Sequence, residues 1–329
     1  MRACRALRVA LLLLLPVQAI AGRAQEVTLD AARRAYERTD YAEAIAILDA
    51  AAAREPNNGE IQLLLTKAHI GVEQFNAAEK SGERAVAIDP KNSEYHNWLG
   101  QAYGGRADHS SMFTAYTLAR KTRKEFEIAV QLDERNFDAA QHLVEYDCTA
   151  PPFVGGGEEK AQPQIQKLLL LDASQGHYAA GNCRRLKKDF AAADAEFMKA
   201  LESHPKSLEN IEEIAGYFAN RGSGERVLAA ADAAEAAAPA DPRGWFFRAM
   251  GWILQGEKLP DAEKILLNYI NVVPRHPWYP GPWAAHYWLG QLYEKEKNLV
   301  AARAEYGAAL KLNAKYKRAQ DALKQLGKS

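Results

Sequence analysis

Small residues and prolines recur along this chain at a fixed interval. Two alanines and a proline appear with the same spacing in successive segments, 34 residues apart: Ala44, Ala51 and Pro56, then Ala78, Ala85 and Pro90. Alanines let two antiparallel helices approach closely, and proline ends the second helix because it lacks an amide hydrogen and clashes with the preceding turn. Each interval therefore predicts one helical hairpin, and the series predicts an all-α solenoid.

The residues inside each interval resemble the tetratricopeptide repeat. Its first-helix pattern of aromatic, Leu, Gly and Tyr occurs twice, as Trp98, Leu99, Gly100 and Tyr103, and as Trp288, Leu289, Gly290 and Tyr293. Its second-helix pattern appears as Ala193, Phe197, Ala200 and Pro205, and as Ala302, Tyr306 and Ala309. The resemblance implies a right-handed superhelical solenoid of about eight hairpins. It extends to bacterial exported repeat proteins to which no chemistry is assigned.

The predicted hairpins cover residues 25–58, 59–92, 93–136, 137–173, 174–207, 208–241, 242–276 and 279–314. We expect irregular inserts near 104–121, between the two helices of the third hairpin, and near 150–157 in the fourth. The sixth has Ala231 in place of the aromatic residue. Residues 315–327 should form a polar-faced capping helix, because the last repeat has no successor to cover its apolar face.

Residues 1–24 resemble a secretory signal peptide. An arginine-containing start precedes an apolar run from Val9 to Leu15, and small residues follow at Ala19 and Ala21. We expect cleavage after Ala21 or Ala24, leaving a mature solenoid of residues 25–329 in the periplasm or, alternatively, in the medium. The apolar run is shorter than the roughly 20 residues that span a bilayer, so a retained anchor is the less favoured alternative and no integral membrane segment is expected in the mature chain.

Charge argues against nucleic acid as the partner. The 42 basic residues would fall to 38 on removal of residues 1–24, against 42 acidic ones, and no basic stripe stands out. Two cysteines remain, Cys148 and Cys183. They could form a disulfide in an oxidising compartment or lie as two buried thiols, since helix axes are about 8–10 Å apart and a disulfide needs α-carbons within about 7 Å.

Catalytic patterns are lacking in the sequence, so we predict no enzyme, catalytic residue, metal or cofactor. Gly155, Gly156 and Gly157 lack the Lys and Ser/Thr of a phosphate loop and are interpreted as a chain reversal. His109 next to two serines is not by itself a catalytic triad. The alternative is an enzyme or small-ligand carrier in the irregular middle repeats, using Arg106, His109 and the glycines.

The family resemblance implies that first helices line a groove for a protein or peptide. The candidate groove residues are Asn97, Gln101, Gln141, Glu145, Tyr178, Asn182, Arg185, Phe246, Met250, Ile253, Tyr287 and Gln291. Packing between repeats is the alternative for Phe246 and Met250. Trp278, Tyr279 and Trp283, between prolines, are expected to pack rather than to dock a partner. The predicted function is a noncatalytic periplasmic scaffold or adaptor, whose self-association the sequence leaves open.

Overall fold

The computed structural model describes residues 29–273, 276 and 279–327, and these fall into two compact units that divide at Ala139 and Ala140. The signal-peptide prediction for residues 1–24 lies outside the described residues. In the first unit, residues 29–37 form α1. The helices that follow are α2 (Tyr41–Arg54), α3 (Gly59–Gly71), α4 (Phe75–Ile88), α5 (Ser93–Asp108) and α6 (Met112–Leu132).

The second unit continues the same alternation of paired helices. After α7 (Phe137–Thr149), which contains the division, a short 3₁₀ turn covers Pro152–Val154. The remaining helices are α8 (Glu158–Leu171), α9 (Ala173–Leu186), α10 (Phe190–Glu202), α11 (Leu208–Asn220), α12 (Gly224–Ala237), α13 (Pro242–Gln255), α14 (Leu259–Val272), α15 (Pro282–Lys295), α16 (Leu299–Leu312) and α17 (Lys317–Leu326).

Within each unit, neighbouring helices pack as antiparallel hairpins, and first helices also contact the first helices of adjacent repeats. Examples of the second kind are α3 with α5, α11 with α13, and α13 with α15. The last helix, α17, packs on α16. The predicted all-α fold of repeated hairpins is confirmed for the described part of the chain, which contains no strand. None of its helices combines the length and apolar character needed to cross a bilayer.

Side-chain caps mark where the first helix begins in the second to seventh repeats. A side-chain oxygen accepts a backbone N–H of the first turn, replacing a partner that the helix itself cannot supply. The capping residues are Asn58, Asn92, Asn136, Asp172, Ser207 and Asp241. Four of them stand two residues after Pro56, Pro90, Pro205 and Pro239, so a stop signal for one helix is followed at once by a start signal for the next.

Left-handed residues make the turn inside the regular hairpins. Thr39, Glu73, Lys188 and Lys297 have φ between 59° and 63°, and Gly222 has φ of 70° at the same place in the sixth repeat. The next amide in each case bonds back to the carbonyl five residues earlier, as Gln74 does to His69 at 2.9 Å. This is the Schellman ending of a helix, which reverses the chain within a few residues.

Glycines of the first helices allow aromatic rings of the second helices to lie directly on the backbone. A Cβ added to Gly100 would stand 2.6 Å from Phe126, and one added to Gly181 would stand 2.6 Å from Phe197. Gly290 faces Tyr306 in the same way. The glycine of the repeat pattern is therefore required for close approach, and not for backbone flexibility.

Histidine–glutamate pairs also join the two helices in three repeats. His96 contacts Glu125, His177 contacts Glu196 and His286 contacts Glu305, each through Nδ1 at 2.6–2.7 Å. The other nitrogen of His96 faces the carbonyl oxygen of Pro90 at 3.0 Å. Burial alone would lower the pKa of His96, but the two acceptors outweigh it and raise that pKa, which favours an imidazolium that donates to both.

The insert of the third repeat differs from the expected loop. Residues 104–108 lie in α5 and residues 112–121 in α6, so the additional length extends both helices instead of separating them. Gly105 lies within α5, and Phe75 packs against the place where a Cβ of this residue would stand, so only glycine fits here. The hairpin formed by α5 and α6 is thus longer than the others.

Cys148 and Cys183 are joined by a disulfide, with their α-carbons 5.7 Å apart. They lie near the carboxyl ends of α7 and α9, which are the first helices of consecutive repeats. Typical spacing between helix axes exceeds this distance, but the two cysteines face each other where the helices come together. The bond closes a loop that includes the glycine-rich turn and the whole of α8.

Replacing Gly181 with Ala should destabilise the second unit by about 1–3 kcal/mol, because the buried Phe197 ring must move to accommodate a methyl group. Gly216→Ala in α11 is the matched control. Nothing lies within 4 Å of its added methyl, so the higher helix propensity of alanine should stabilise by up to about 1 kcal/mol. Urea unfolding followed by circular dichroism measures both, and equal midpoints for the two variants would contradict the packing described here.

Candidate functional site

The first helices of the second unit carry three groups of polar side chains that hydrogen-bond between consecutive repeats. We call the face of α7, α9 and α11 that bears Glu145, Asn182 and Glu213 the first-helix surface. Its side chains bond from one repeat to the next, so its geometry follows from the stacking of the hairpins.

An amide ladder links three consecutive repeats at one end of this surface. The Gln175 carbonyl oxygen of α9 accepts from Gln141 of α7 and from Asn210 of α11, the latter at 3.0 Å. Gln175 and Asn210 are each less than a tenth exposed. A buried amide that has its partners holds neighbouring helices in one register.

A carboxylate, an amide and a guanidinium form the next layer. Asn182 donates to Glu145 at 3.5 Å, while its carbonyl oxygen accepts from Nε of Arg185 at 3.0 Å. Desolvation raises the pKa of Glu145, opposed by the positive charge of Arg185. Glu145 nevertheless keeps exposed surface. An exposed carboxylate in a partly desolvated setting can bind a cationic or hydrogen-donating group more strongly than a freely solvated one.

Tyr178 and Glu213 connect the fifth and sixth repeats. The Tyr178 hydroxyl donates to Glu213 at 2.7 Å, and desolvation together with this carboxylate raises the tyrosine pKa. Tyr178 is 5% exposed, whereas Glu213 is exposed. The tyrosine therefore positions the carboxylate, and the carboxylate is the group that a partner could reach.

Two titratable groups on this surface have strongly shifted pKa values. Burial raises the pKa of Glu212 to about 8, and the nearby Glu209, Glu213 and Asp241 carboxylates add to this rise against the opposing effect of Arg243. Burial lowers the pKa of His142 to about 4. At neutral pH both side chains are uncharged, so the surface carries less charge than its sequence indicates. Shifted groups of this kind concentrate at functional sites.

Several predicted groove residues lie on this surface, but others are buried in the core. Gln141, Glu145, Tyr178, Asn182 and Arg185 belong to the network above. The expectation that Phe246, Met250 and Ile253 face a ligand needs correction. Their exposed fractions are 2%, 4% and 0%, and they pack with α11, α12, α14 and α15. These three side chains of α13 therefore pack between repeats, which was the alternative to ligand binding.

Tyr287 and Gln291 lie next to the capping helix. The Tyr287 ring contacts Tyr316 at 5.8 Å and lies under Arg318 of α17, and Gln291 donates to the Tyr306 hydroxyl at 2.5 Å. In the first unit, Asn97 is 2% exposed and Gln101 is half-buried. The network of α7, α9 and α11 described above is therefore built without these four predicted groove residues.

The glycine-rich turn has no amide available for a phosphate. The N–H groups of Gly155, Gly156 and Gly157 donate to the carbonyls of Pro152, Pro151 and Asp147. Gly155 and Gly157 have φ of 102° and 142°, which a chain reversal requires. The Lys160 ammonium also bonds to the Gly155 carbonyl at 2.6 Å. The turn is closed by its own hydrogen bonds, as its interpretation as a chain reversal predicts.

The other residues of the ligand-carrier alternative have structural partners. Arg106 pairs with Glu79, and His109 bonds to the Gly105 carbonyl at 2.9 Å while stacking on Phe75. Within the described ranges, no three His, Cys, Asp or Glu side chains are grouped so as to hold a metal ion.

The proline-rich segment before α15 packs through its described aromatics. Tyr279 donates to Asp241 at 2.9 Å and lies 4.4 Å from the Arg243 guanidinium, and Trp283 packs against the core. Trp278 lies outside the described residues. Tyr279 and Trp283 thus agree with the expectation that this segment packs.

Sequence reasoning missed Glu212 and Glu213, which are central to the surface. The sixth repeat lacks its aromatic residue and contributed no candidate. The only sequence signal for these residues is that two carboxylates stand next to each other in the first helix of that repeat. Gln175 and Asn210 were missed because they lie close to the start of their helices, outside the positions assigned to the groove.

Comparison with known proteins agrees with this geometry. Residues 35–102 match the family model of the tetratricopeptide repeat. Yeast Tom70 has a similar structure, with a TM-score of 0.54 at 13% identity over 88% of this chain and 58% of that one, so this chain spans less than two thirds of its length. This protein has the tetratricopeptide-repeat fold.

Other solved tetratricopeptide-repeat proteins align more loosely. One from Thermus thermophilus gives a TM-score of 0.47 at 18% identity, covering 56% of this chain and 94% of that one. One from Parabacteroides merdae gives 0.42 at 12% identity, covering 92% and 99%. No curated protein sequence matches this chain significantly.

Glu212→Gln should stabilise the protein at high pH. The folded carboxyl has a pKa of about 8 against an ordinary value of 4.5, so the folded state retains a proton that the unfolded state has lost. The contribution of Glu212 to folding stability therefore decreases as the pH rises from about 4.5 to about 8. Melting temperatures of variant and wild type should be similar at pH 5 and should diverge, with the variant higher, at pH 9. Glu225→Gln, on the exposed side of α12, is the control and should not raise the melting temperature at pH 9. An equal rise in this control would contradict the raised pKa of Glu212.

Proposed function

We propose that this protein is a noncatalytic periplasmic scaffold that binds a segment of a partner protein on its first-helix surface. The single observation that carries the proposal is a pair of hydrogen bonds between consecutive repeats, from Asn182 to Glu145 and from Tyr178 to Glu213, which leave both carboxylates accessible; Arg185 bonds to Asn182 beside them. A preformed surface of this kind loses little conformational entropy when it binds.

The chemistry of this surface favours a segment with basic and hydrogen-bonding side chains. Glu145 and Glu213 can accept from Lys or Arg. Glu212, protonated at neutral pH, can donate to a backbone carbonyl of the partner. The surface thus offers acceptors and a donor within one helix-lined region.

Peptide display against the full chain tests this proposal. Selected peptides should contain Lys or Arg, and calorimetry should find binding weakened roughly ten- to 150-fold by Glu213→Gln, as expected for loss of a charged hydrogen bond of about 1.5–3 kcal/mol. Glu225→Gln, on the second helix of the same repeat, is the matched control and should bind as wild type does. Selection of no peptide, or equal affinity of the two variants, would refute binding at this surface.

The periplasmic location rests on the pattern of residues 1–24 and is supported by the Cys148–Cys183 disulfide, since such bonds persist in oxidising compartments. In Gram-negative cells the mature protein should appear in the periplasmic fraction with Gly22 or Gln25 at its amino terminus. Denatured without reductant, that protein should contain no free thiol. A chain in the cytoplasmic fraction that keeps Met1, with the thiols of Cys4, Cys148 and Cys183 all free, would overturn the location.

A further inference from the structure

The tip of the hairpin formed by α5 and α6 projects two large apolar side chains into solvent. α6 has 21 residues and α4 has 14, so α6 is about 10 Å longer. In its first turn, Met112 is 83% exposed and Phe113 is 88% exposed. Leu170 and Val300 are comparably exposed, at 90% and 83%, but neither adjoins a second side chain of such exposure in the sequence. The pair at the tip is therefore an unusual feature of the surface.

Positive charge follows the apolar tip along the same helix. Between His109 and Lys124 the sequence contains four basic residues and no acidic one: Arg120, Lys121, Arg123 and Lys124. Arg120 and Lys124 are exposed, whereas Lys121 and Arg123 approach Glu83 and Glu127. Arg120 stands about 10 Å along the helix from Phe113, and Lys124 about 16 Å.

A local contact orders the region between the tip and the charges. Tyr116 lies one turn after Met112 and is 40% exposed. The Arg120 guanidinium donates to its hydroxyl at 3.3 Å and lies 5.8 Å from its ring centre. Along α6, apolar side chains are thus followed by a tyrosine and then by cationic side chains. A membrane interface has the matching order of acyl chains, glycerol groups and headgroups.

This arrangement fits an anionic lipid surface better than a protein pocket. A stable protein interface buries roughly 800 Å² on each partner, whereas the tip is convex and offers two adjacent side chains. A fluid bilayer accepts such a tip without a preformed cavity, and anionic headgroups attract the basic residues behind it. We propose that the tip of the α5–α6 hairpin, through Met112 and Phe113 with Arg120 and Lys124, docks this protein on anionic phospholipid membranes.

Vesicle sedimentation of the full chain tests the proposal. Vesicles of phosphatidylcholine with about a quarter phosphatidylglycerol should bind the protein, and the binding should weaken as salt screens the headgroups. Met112→Ser with Phe113→Ser should weaken binding by roughly tenfold or more, and Arg120→Gln with Lys124→Gln should remove its salt dependence. Leu170→Ser with Val300→Ser is the matched control, because it removes equally exposed apolar side chains elsewhere and should leave binding unchanged.

Hydrogen exchange identifies which part of the chain touches the vesicle, since the apolar run of residues 9–15 could also bind lipid. The first amides of α6 have no partner within the helix and exchange rapidly in solution. Anionic vesicles should slow exchange at residues 112–114 in the wild type and not in the Met112/Phe113 variant. Unchanged exchange at these amides, or equal vesicle binding by the Met112/Phe113 variant and the Leu170/Val300 control, would overturn the proposal. Protection of the same amides by a soluble protein partner, with none by vesicles, would do so as well.

Discussion

The contact between a glycine of one helix and an aromatic ring of the next is the constraint on which the rest of the structure depends. Gly100 with Phe126 and Gly181 with Phe197 bring ring and backbone together at a separation that no side chain on the first helix would permit. Close approach fixes the two helices of a hairpin, and stacked hairpins then place first helices side by side. In the fifth repeat, which contains the Gly181–Phe197 contact, Gln175 of α9 then lies close enough to bond to Gln141 of α7 and Asn210 of α11.

Much of the fold could be predicted because its determinants are local and repeat. Proline positions, alanines and the Leu-Gly pattern are visible in the sequence, and all report the same hairpin. The form of the third repeat could not be predicted in this way. Gly104 and Gly105 are typical of a loop, yet both lie within α5, and Gly105 is needed because Phe75, from the preceding hairpin, occupies the space where a Cβ would stand. That requirement is tertiary and leaves no local signal.

The candidate site could be predicted only in part, for a related reason. The repeat frame correctly selects helices that face a common surface, so Glu145, Asn182 and Arg185 were found. It does not report burial, which depends on how adjacent repeats pack, and so it also selected Phe246 and Met250. The pKa values of Glu212 and His142 likewise arise from surroundings supplied by several helices, which the spacing of residues in one helix does not reveal.

The bond between Cys148 and Cys183 has a consequence for how such an array comes apart. Repeats in a stack are stabilised mainly by their neighbours, so unfolding begins at an end and advances one hairpin at a time. The disulfide joins the fourth and fifth repeats covalently. When unfolding reaches the fourth or the fifth repeat, the disulfide still holds α7 and α9 together. α8 and the glycine-rich turn lie inside the closed loop and can still unfold. The bond thus acts as a barrier within the stack, and fraying on one side of it need not spread to the other.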